Sequence, residues 1–217
     1  MQVSLPDLNF VQMTCALLEA QLTNPATFEA LEYWFVFVMV WACGAVLSEV
    51  DGVDYRKQFS NWWKGEMKTI KFPAKGSVFD YFVEESHFEE WASIVETIEY
   101  SSDTPMQTVT VPTTETVATS FFIKHLIEVN KPVMLIGLAG CGKTQMSNGL
   151  LKSLDPEVFC SHSINFNFYT DYNLLMTMME IPLEKKAGRL YAPPGKLQMV
   201  YFMSINLENQ VIKNVFL

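Results

Sequence analysis

The chain has 217 residues, of which 49% are hydrophobic and 18% charged, a composition typical of a folded globular protein and not of a disordered one. Its formal net charge is -9 and its 15 lysines and arginines form no dense basic run, which excludes a surface built to bind nucleic acid. Four widely spaced cysteines without a CxxC pair predict reduced thiols in a cytosolic setting, and three isolated histidines predict no metal-ligand cluster.

Residues 1–72 are predicted to form a helical module. The first residues carry an acid and no basic stretch, so they do not resemble a secretory signal. Residues 9–22 place apolar side chains at helical spacing, and the segment after the Thr-Asn-Pro start signal at 23–25 is apolar on all sides. Its uncharged part, residues 33–48, is shorter than the roughly 20 residues that span a membrane, which favours a buried core helix over a membrane span. Residues 53–73 predict a further helix and an extended connector.

The composition shifts near Pro73, and residues 73–217 are predicted to form an α/β module. Short aromatic and β-branched runs predict short strands and loops up to a helix at 113–129, which opens with a threonine cap. An apolar run at 131–137 predicts a strand buried on both faces. The predicted elements that follow are a helix at 144–154, a strand at 163–170, a helix at 171–180 and a strand at 198–205. This alternation of strands and helices predicts a sheet of parallel strands.

The strongest motif is a phosphate loop between the strand at 131–137 and the helix at 144–154. It fits G-x-x-x-x-G-K-[ST], and its residues are Gly137, Leu138, Ala139, Gly140, Cys141, Gly142, Lys143 and Thr144. Glycines with positive φ turn successive backbone N–H groups toward one anion, and the helix that follows adds the positive end of its dipole. Lys143 would reach the β and γ phosphates, and the Thr144 hydroxyl would ligate Mg²⁺. A chance glycine-rich turn before a helix is the alternative.

Hydrolysis of the nucleotide needs a second feature, an acid at the end of a neighbouring apolar strand that holds Mg²⁺ through water. The strand at 198–205 ends in Ser204 and Ile205, and the next acid along the chain is Glu208. Four residues of extended chain span about 13 Å, so a shifted register that uses Glu208 is disfavoured. Ser204 could contact a metal-bound water, but it supplies no charge.

Several stretches together resemble the axonemal dynein heavy chains of the outer-arm type. They include FEALEYWFVFVMVWACGAVL in the helical module, KPVMLIGLAGCGKTQ at the phosphate loop, PLEKKAGRLYAPPGK and VYFMS. The resemblance covers nearly the whole chain, from the end of the second AAA+ module into the third. It implies an ATP-binding module of a microtubule motor of cilia, with residues 111–113 near the adenine. It further implies the cytoplasm, the cytoskeleton and the ciliary axoneme as location, and the dynein complex and microtubules as partners, with neither a membrane nor a nucleic acid among them.

The sequence departs from this family at two places. The family reads Tyr-Phe-x-Asp-Asp where this chain has Tyr201-Phe202-Met203-Ser204-Ile205, so both expected acids are absent. After that point residues 206–217 no longer resemble the family. The resemblance implies strand order 5-1-4-3-2, so we expect a P-loop AAA+ type parallel sheet truncated after its third core strand. A gap between the first and third strands would leave unpaired edges and exposed apolar faces, which favour aggregation unless something covers them.

Three hypotheses follow from these observations. The leading one is a dynein heavy-chain-like fragment that binds ATP or ADP with Mg²⁺ at residues 137–144 and has neither hydrolysis nor motility on its own. The second is a non-catalytic interaction or structural fragment that binds no nucleotide. The third is an active P-loop enzyme that uses Glu208.

Overall fold

The computed structural model of the chain describes residues 7–22, 28–96, 111–137, 140–195, 198–205 and 212–216. Its helices are α1 (Asp7–Gln21), α2 (Phe28–Gly44), α3 (Tyr55–Glu66), α4 (Thr114–Glu128), α5 (Lys143–Ser153) and α6 (Tyr172–Glu180). The strands of the first half are β1 (Glu49–Val50), β2 (Val53–Asp54), β3 (Tyr81–Glu84) and β4 (His87–Glu90). Those of the second half are β5 (Val133–Gly137), β6 (Phe159–Phe166), β7 (Glu184–Ala187), β8 (Leu190–Ala192), β9 (Gln198–Ile205) and β10 (Ile212–Phe216).

The described chain divides into two compact units. The first holds the described residues up to 96 together with 111–125, and the second holds those from 126 onward. The first unit contains the predicted helical segments and also the short strands that follow residue 73. The boundary between residues 72 and 73, which we expect on grounds of composition, therefore does not coincide with the division by contacts and stays a prediction.

Aromatic side chains form the core of the first unit. One cluster of buried residues joins α2 and α3 to the segment that follows them; its members are Val40, Trp63, Phe72, Val78, Phe79 and Tyr81. Ser60 on α3 is 2% exposed, and its hydroxyl accepts a hydrogen bond from the backbone N–H of Val78 at 3.0 Å. The apolar helix α2 is fully buried at Phe37, as predicted, but Phe35 is 51% exposed. None of the helices formed by the described residues is long and apolar enough to cross a membrane.

The second unit is built on a four-stranded sheet with the order β5-β10-β9-β6. β6 and β9 pair in parallel over eight residues, from Phe159 opposite Gln198 to Phe166 opposite Ile205. β10 is antiparallel to both β5 and β9, so β5, β9 and β6 all run in one direction. This confirms the predicted α/β class with parallel P-loop strands.

The position between the first and third strands is covered by β10, which pairs with both neighbours, so the edges that a gap would leave unpaired have partners. One expectation about the sheet is wrong. The strand β5 is not buried on both faces, because Met134 is 51% exposed and Ile136 is 62% exposed. Successive side chains of a strand point to opposite faces, so these two residues place one apolar face of β5 in solvent.

The strand β6 begins and ends four residues earlier than its predicted range of 163–170. Asn167 stops it, because its side-chain oxygen accepts hydrogen bonds from the backbone N–H of Tyr169 and from the Thr170 hydroxyl, which closes a turn. Asp171 then caps α6 by accepting from the backbone N–H of Leu174 at 2.8 Å. After α6, residues 184–192 form the exposed antiparallel hairpin of β7 and β8.

Candidate phosphate-binding site

The predicted phosphate loop lies between β5, which ends at Gly137, and α5, which begins at Lys143. Gly140 and Gly142 have φ angles of +79° and +80°, a left-handed conformation that side-chain-bearing residues rarely adopt. A Cβ atom at either glycine would meet no atom within 4 Å, so the loop is open at both positions. Leu138 and Ala139 lie outside the described residues. The conformations of the two glycines are those that a backbone anion cradle requires.

Lys143 is the most deeply buried charged side chain of the described loop. It is 8% exposed, and its ammonium donates hydrogen bonds to the Gly137 carbonyl at 3.0 Å and to Cys141 Sγ at 3.1 Å. These contacts fold the lysine back across the loop from the first turn of α5 to the last residue of β5. The cation is therefore held at the base of the loop, where it can exchange these neutral partners for phosphate oxygens.

The first turn of α5 is held by contacts that begin at Gly142, its N-cap. Gly142 has no side chain to cap the helix, and its carbonyl accepts from the backbone N–H of Met146 at 2.9 Å. Ser147 is fully buried, and its hydroxyl donates to the Lys143 carbonyl at 2.8 Å. Sequence reasoning missed Ser147, although its position four residues after Lys143 places both on one face of the helix. Ser147 fixes the backbone from which Lys143 projects.

Thr144, the predicted Mg²⁺ ligand, lies in the first turn of α5 and is exposed. Its hydroxyl is thus accessible to an ion held beside bound phosphates, the position that this residue type takes in phosphate loops. Open glycines, a buried ammonium and an accessible hydroxyl meet the requirements of a magnesium nucleotide. The residues of the loop therefore suit the phosphate groups of such a ligand.

The end of β9 does not provide the acid that a hydrolytic site requires. Asn214 of β10 pairs with both Leu135 and Ser204, so Ser204 on β9 is level with Leu135, near the carboxyl end of β5. Ser204 is 2% exposed, and β9 carries no acidic residue along its whole length. Glu208, the alternative acid, lies outside the described residues. A serine hydroxyl provides no negative charge for a metal ion or for a reacting water.

The segment expected near the adenine, residues 111–113, leads into α4. Thr113 caps this helix as predicted: its hydroxyl accepts from the backbone N–H of Thr116, and its own N–H donates to the Thr116 hydroxyl. The capping is confirmed by these bonds. The proximity of this segment to an adenine stays a prediction.

The expectation that no histidine takes part in a metal-ligand cluster needs a correction. On the hairpin of β3 and β4, the side chains of Glu84, His87 and Glu89 offer ligand atoms that lie within 4.8 Å of one another. The hairpin brings them together because Glu84 pairs with His87, and Glu89 follows on the same face. Glu84 and His87 are exposed to water, so proximity alone assigns no ion to this cluster.

Comparison with known families gives matches along most of the chain. The description "Dynein heavy chain AAA lid domain" matches residues 1–93, and "P-loop containing dynein motor region" matches residues 98–207. The second match contains the phosphate loop and β9 and ends before β10.

Individual relatives agree with these matches. The chain is 42% identical over 208 residues to dynein axonemal heavy chain 9 of Homo sapiens, which covers 93% of this chain and 5% of that protein. It is 42% identical to the alpha chain of flagellar outer arm dynein of Chlamydomonas reinhardtii, over 92% of this chain and 5% of that one. It is 43% identical to the ciliary dynein beta chain of Heliocidaris crassispina, again over 93% and 5%. The chain thus spans only 5% of the length of these curated relatives.

Proposed function

Since the chain belongs to the dynein heavy chain family and carries its P-loop region, we propose that it binds ATP or ADP with Mg²⁺ at residues 137–144. We further propose that it has no ATP hydrolysis of its own. The observation that carries the binding proposal is the position of Lys143, buried and folded against Gly137 at the base of a glycine-rich loop.

The proposed roles follow from the contacts of each residue. Gly140 and Gly142 let the backbone curve around a phosphate, and Gly137 leaves room for the Cys141 side chain, because a Cβ there would lie 3.0 Å from Sγ. Lys143 exchanges a neutral carbonyl partner for an anion, and Thr144 holds Mg²⁺. Leu138, Ala139 and Cys141 contribute backbone N–H groups to the cradle.

The proposed absence of hydrolysis rests on Ser204. A bound magnesium nucleotide brings a strongly polarised phosphate to the loop, but this chain presents an uncharged, buried hydroxyl where the family has an acid. Without that carboxylate the Mg²⁺ of a bound nucleotide has no acidic partner on β9, so the ion is not held as hydrolysis requires. The chain is then a nucleotide-binding element and not a complete motor.

The proposal of partners and location rests on the relatives, whose names describe axonemal, ciliary and flagellar outer arm dyneins. We propose the dynein complex and, through it, microtubules as partners, and the cytoplasm, cytoskeleton and axoneme of the cilium as location. We also propose that residues 1–72 derive from the preceding AAA+ module and residues 73–217 from the nucleotide-binding core.

Equilibrium binding of a fluorescent ADP analogue in the presence of Mg²⁺ tests the proposal. Lys143→Ala removes the buried ammonium, and since charge-assisted hydrogen bonds contribute about 1.5–3 kcal/mol, we expect at least a tenfold loss of affinity. Lys152→Ala is the matched control, because Lys152 is an exposed lysine in the last turn of the same helix. It should leave the affinity within about twofold of the parent chain.

The second candidate is an interaction or structural fragment that binds no nucleotide. It is favoured by the aromatic surface at the start of α6, where Phe168 is 94% exposed, Tyr169 83% and Tyr172 75%. Large exposed apolar patches mark contact surfaces. Absence of saturable nucleotide binding by the folded parent chain would reject the first proposal in favour of this one.

A further inference from the structure

A cavity opens beside the carboxyl end of α3, within the first unit. We call it the α3 cavity. Its volume is about 340 Å³, more than twice that of a cavity of roughly 150 Å³ that holds benzene. The lining residues used below are Trp63, Lys64, Met67, Lys71, Phe72 and Ala74. A cavity of this volume is large enough for a small organic ligand.

The aromatic walls of the α3 cavity are fixed by the core. Trp63 and Phe72 both belong to the buried cluster of the first unit. The Phe72 ring stacks on Phe88 with centroids 3.9 Å apart, and the Trp63 ring packs against Phe59 at 5.7 Å. Because their other contacts hold these rings, the walls are in place before a ligand arrives.

Lys64 fixes another side of the cavity. Its ammonium donates hydrogen bonds to the carbonyls of Pro73 at 2.6 Å and Gly76 at 2.9 Å. It also donates to the carbonyls of the two residues between them, at 3.4 and 3.3 Å. These bonds tie α3 to residues 73–76 and so hold Ala74 at the cavity. The Lys64 ammonium therefore already has partners within the chain.

The charge around the α3 cavity is positive. Residues 64–75 carry four lysines and one acid, although the formal net charge of the chain is -9. Lys75 forms an ion pair with Glu90 at 3.1 Å. Lys71 lines the cavity and is exposed, and among the described residues it has neither a hydrogen bond nor an ion pair. A cation in this position favours an anionic ligand.

Trp63 brings a hydrogen-bond donor that needs an acceptor. The residue is 6% exposed, and its Nε1–H has no hydrogen-bond partner among the described residues. Trp41 and Trp91 share this property, but neither lines the α3 cavity. A buried indole N–H usually has an acceptor, since leaving it unpaired costs free energy. Met67 lines the same cavity and is 41% exposed, and its flexible side chain can turn aside to admit an acceptor.

We propose that the α3 cavity binds a small organic carboxylate whose apolar body is about the size of two fused aromatic rings. The body lies against Trp63 and Phe72, and the carboxylate faces Lys71 and accepts a hydrogen bond from Trp63 Nε1–H. One ionised carboxylate satisfies both the cation and the buried donor, whereas an uncharged ligand satisfies only the donor. The cavity belongs to the first unit, so the proposal does not rest on nucleotide binding.

Titration of the ¹⁵N-labelled full chain with 2-naphthoate tests the proposal. The indole N–H signals of the five tryptophans are followed by nuclear magnetic resonance, and triple-resonance assignment identifies the signal of Trp63. We expect this signal to shift saturably. The uncharged analogue 2-naphthalenemethanol has the same rings, and it should bind at least about fivefold more weakly because charge-assisted hydrogen bonds are the stronger ones.

Two variants locate the ligand. Lys71→Ala should weaken 2-naphthoate binding about two- to fivefold, the range expected for an exposed ion pair, and leave binding of the alcohol unchanged. Lys57→Ala is the matched control, because Lys57 is an exposed lysine of α3 that does not line the cavity, and it should leave both affinities unchanged. Ala74→Leu places a larger side chain at an exposed position of the cavity wall. It should weaken binding of both ligands at least about tenfold, because it occupies the volume of the ligand.

Three results would overturn the proposal. A Trp63 signal that stays unchanged up to millimolar 2-naphthoate, in a folded chain, would show that the cavity takes up water only. Equal affinities of the parent chain for the acid and the alcohol would reject a carboxylate as the ligand. Parent-like affinity in Ala74→Leu would place the ligand elsewhere. The first two measurements use the unsubstituted chain, so they stand even if a variant does not fold.

Discussion

Gly142 and Gly149 lie in one short segment, yet their backbone conformations differ. Gly142 caps α5 with a φ of +80°, whereas Gly149 lies in the middle of that helix. A Cβ added at either position would meet no atom within 4 Å. The effect of an added methyl group is therefore decided by backbone conformation and not by packing.

Gly142→Ala and Gly149→Ala should consequently change stability in opposite directions. A left-handed conformation costs a residue other than glycine about 1–2 kcal/mol, so Gly142→Ala should lower the free energy of unfolding by about that amount. Alanine in a helix interior is favoured over glycine by about 0.5–1 kcal/mol, so Gly149→Ala should raise it. Urea unfolding measures both values. Equal effects of the two substitutions would contradict the observed backbone of the loop.

At the residue scale, the sequence predicted the loop from its spacing but not the contacts of its members. The motif identifies Lys143 as the cation, but not that it is 8% exposed and bonded to the Gly137 carbonyl. Ser147 was missed because serine in a helix is common and only burial shows its role. Burial and partners depend on the tertiary structure, which a local pattern does not contain.

At the scale of elements, a hydrogen bond links α6 to β9. The Tyr201 hydroxyl donates to the carbonyl of Met179 at 2.6 Å. Burial raises the pKa of Tyr201 above its ordinary value, and the neighbouring Cys160 raises it further. The folded state therefore favours the protonated phenol, which alone can donate this hydrogen bond.

The alkaline stability of the chain should depend on this tyrosine. Because the folded pKa of Tyr201 lies above the unfolded value of about 10, its contribution is complete below that pH and is lost as pH rises through the folded pKa. Tyr201→Phe should lower the free energy of unfolding by about 1 kcal/mol at pH 7, and by less at about pH 11.

Tyr172→Phe is the control for this prediction, since Tyr172 is 75% exposed. It should leave the free energy of unfolding within about 0.5 kcal/mol of the parent at both pH values. Urea unfolding at the two pH values measures the comparison. A Tyr201→Phe deficit that stays constant with pH would show that the phenol proton has no part in the contact.

The sequence predicted elements best where a local signal marks their ends. The predicted helices begin at Thr113 and Asp171, and α4 and α6 each begin one residue later. The predicted range of β6 lies four residues too late in the chain, because the turn at Asn167 falls within an aromatic run that itself resembles a strand. β10 was missed because its partners are distant in sequence and its segment has no counterpart in the family pattern. Pairing across the sheet is a long-range property.

At the scale of the whole molecule, the chain combines a phosphate loop with a strand that carries no acid. The loop, its helix and the parallel strands are those of the dynein P-loop region. The register places Ser204 level with Leu135 of β5, and Ser204 is the residue that this chain has where the resemblance implies the family's first acid. These features support the proposal of a nucleotide-binding element that does not turn over its ligand.

The most direct test measures nucleotide affinity and ATP turnover on one preparation of the folded chain. We expect saturable binding of ADP and ATP with Mg²⁺, weakened at least about tenfold by Lys143→Ala, together with phosphate release no faster than in buffer alone. Phosphate release well above that background, and lost in Lys143→Ala, would contradict it, because the chain would then hydrolyse ATP without an acid on β9.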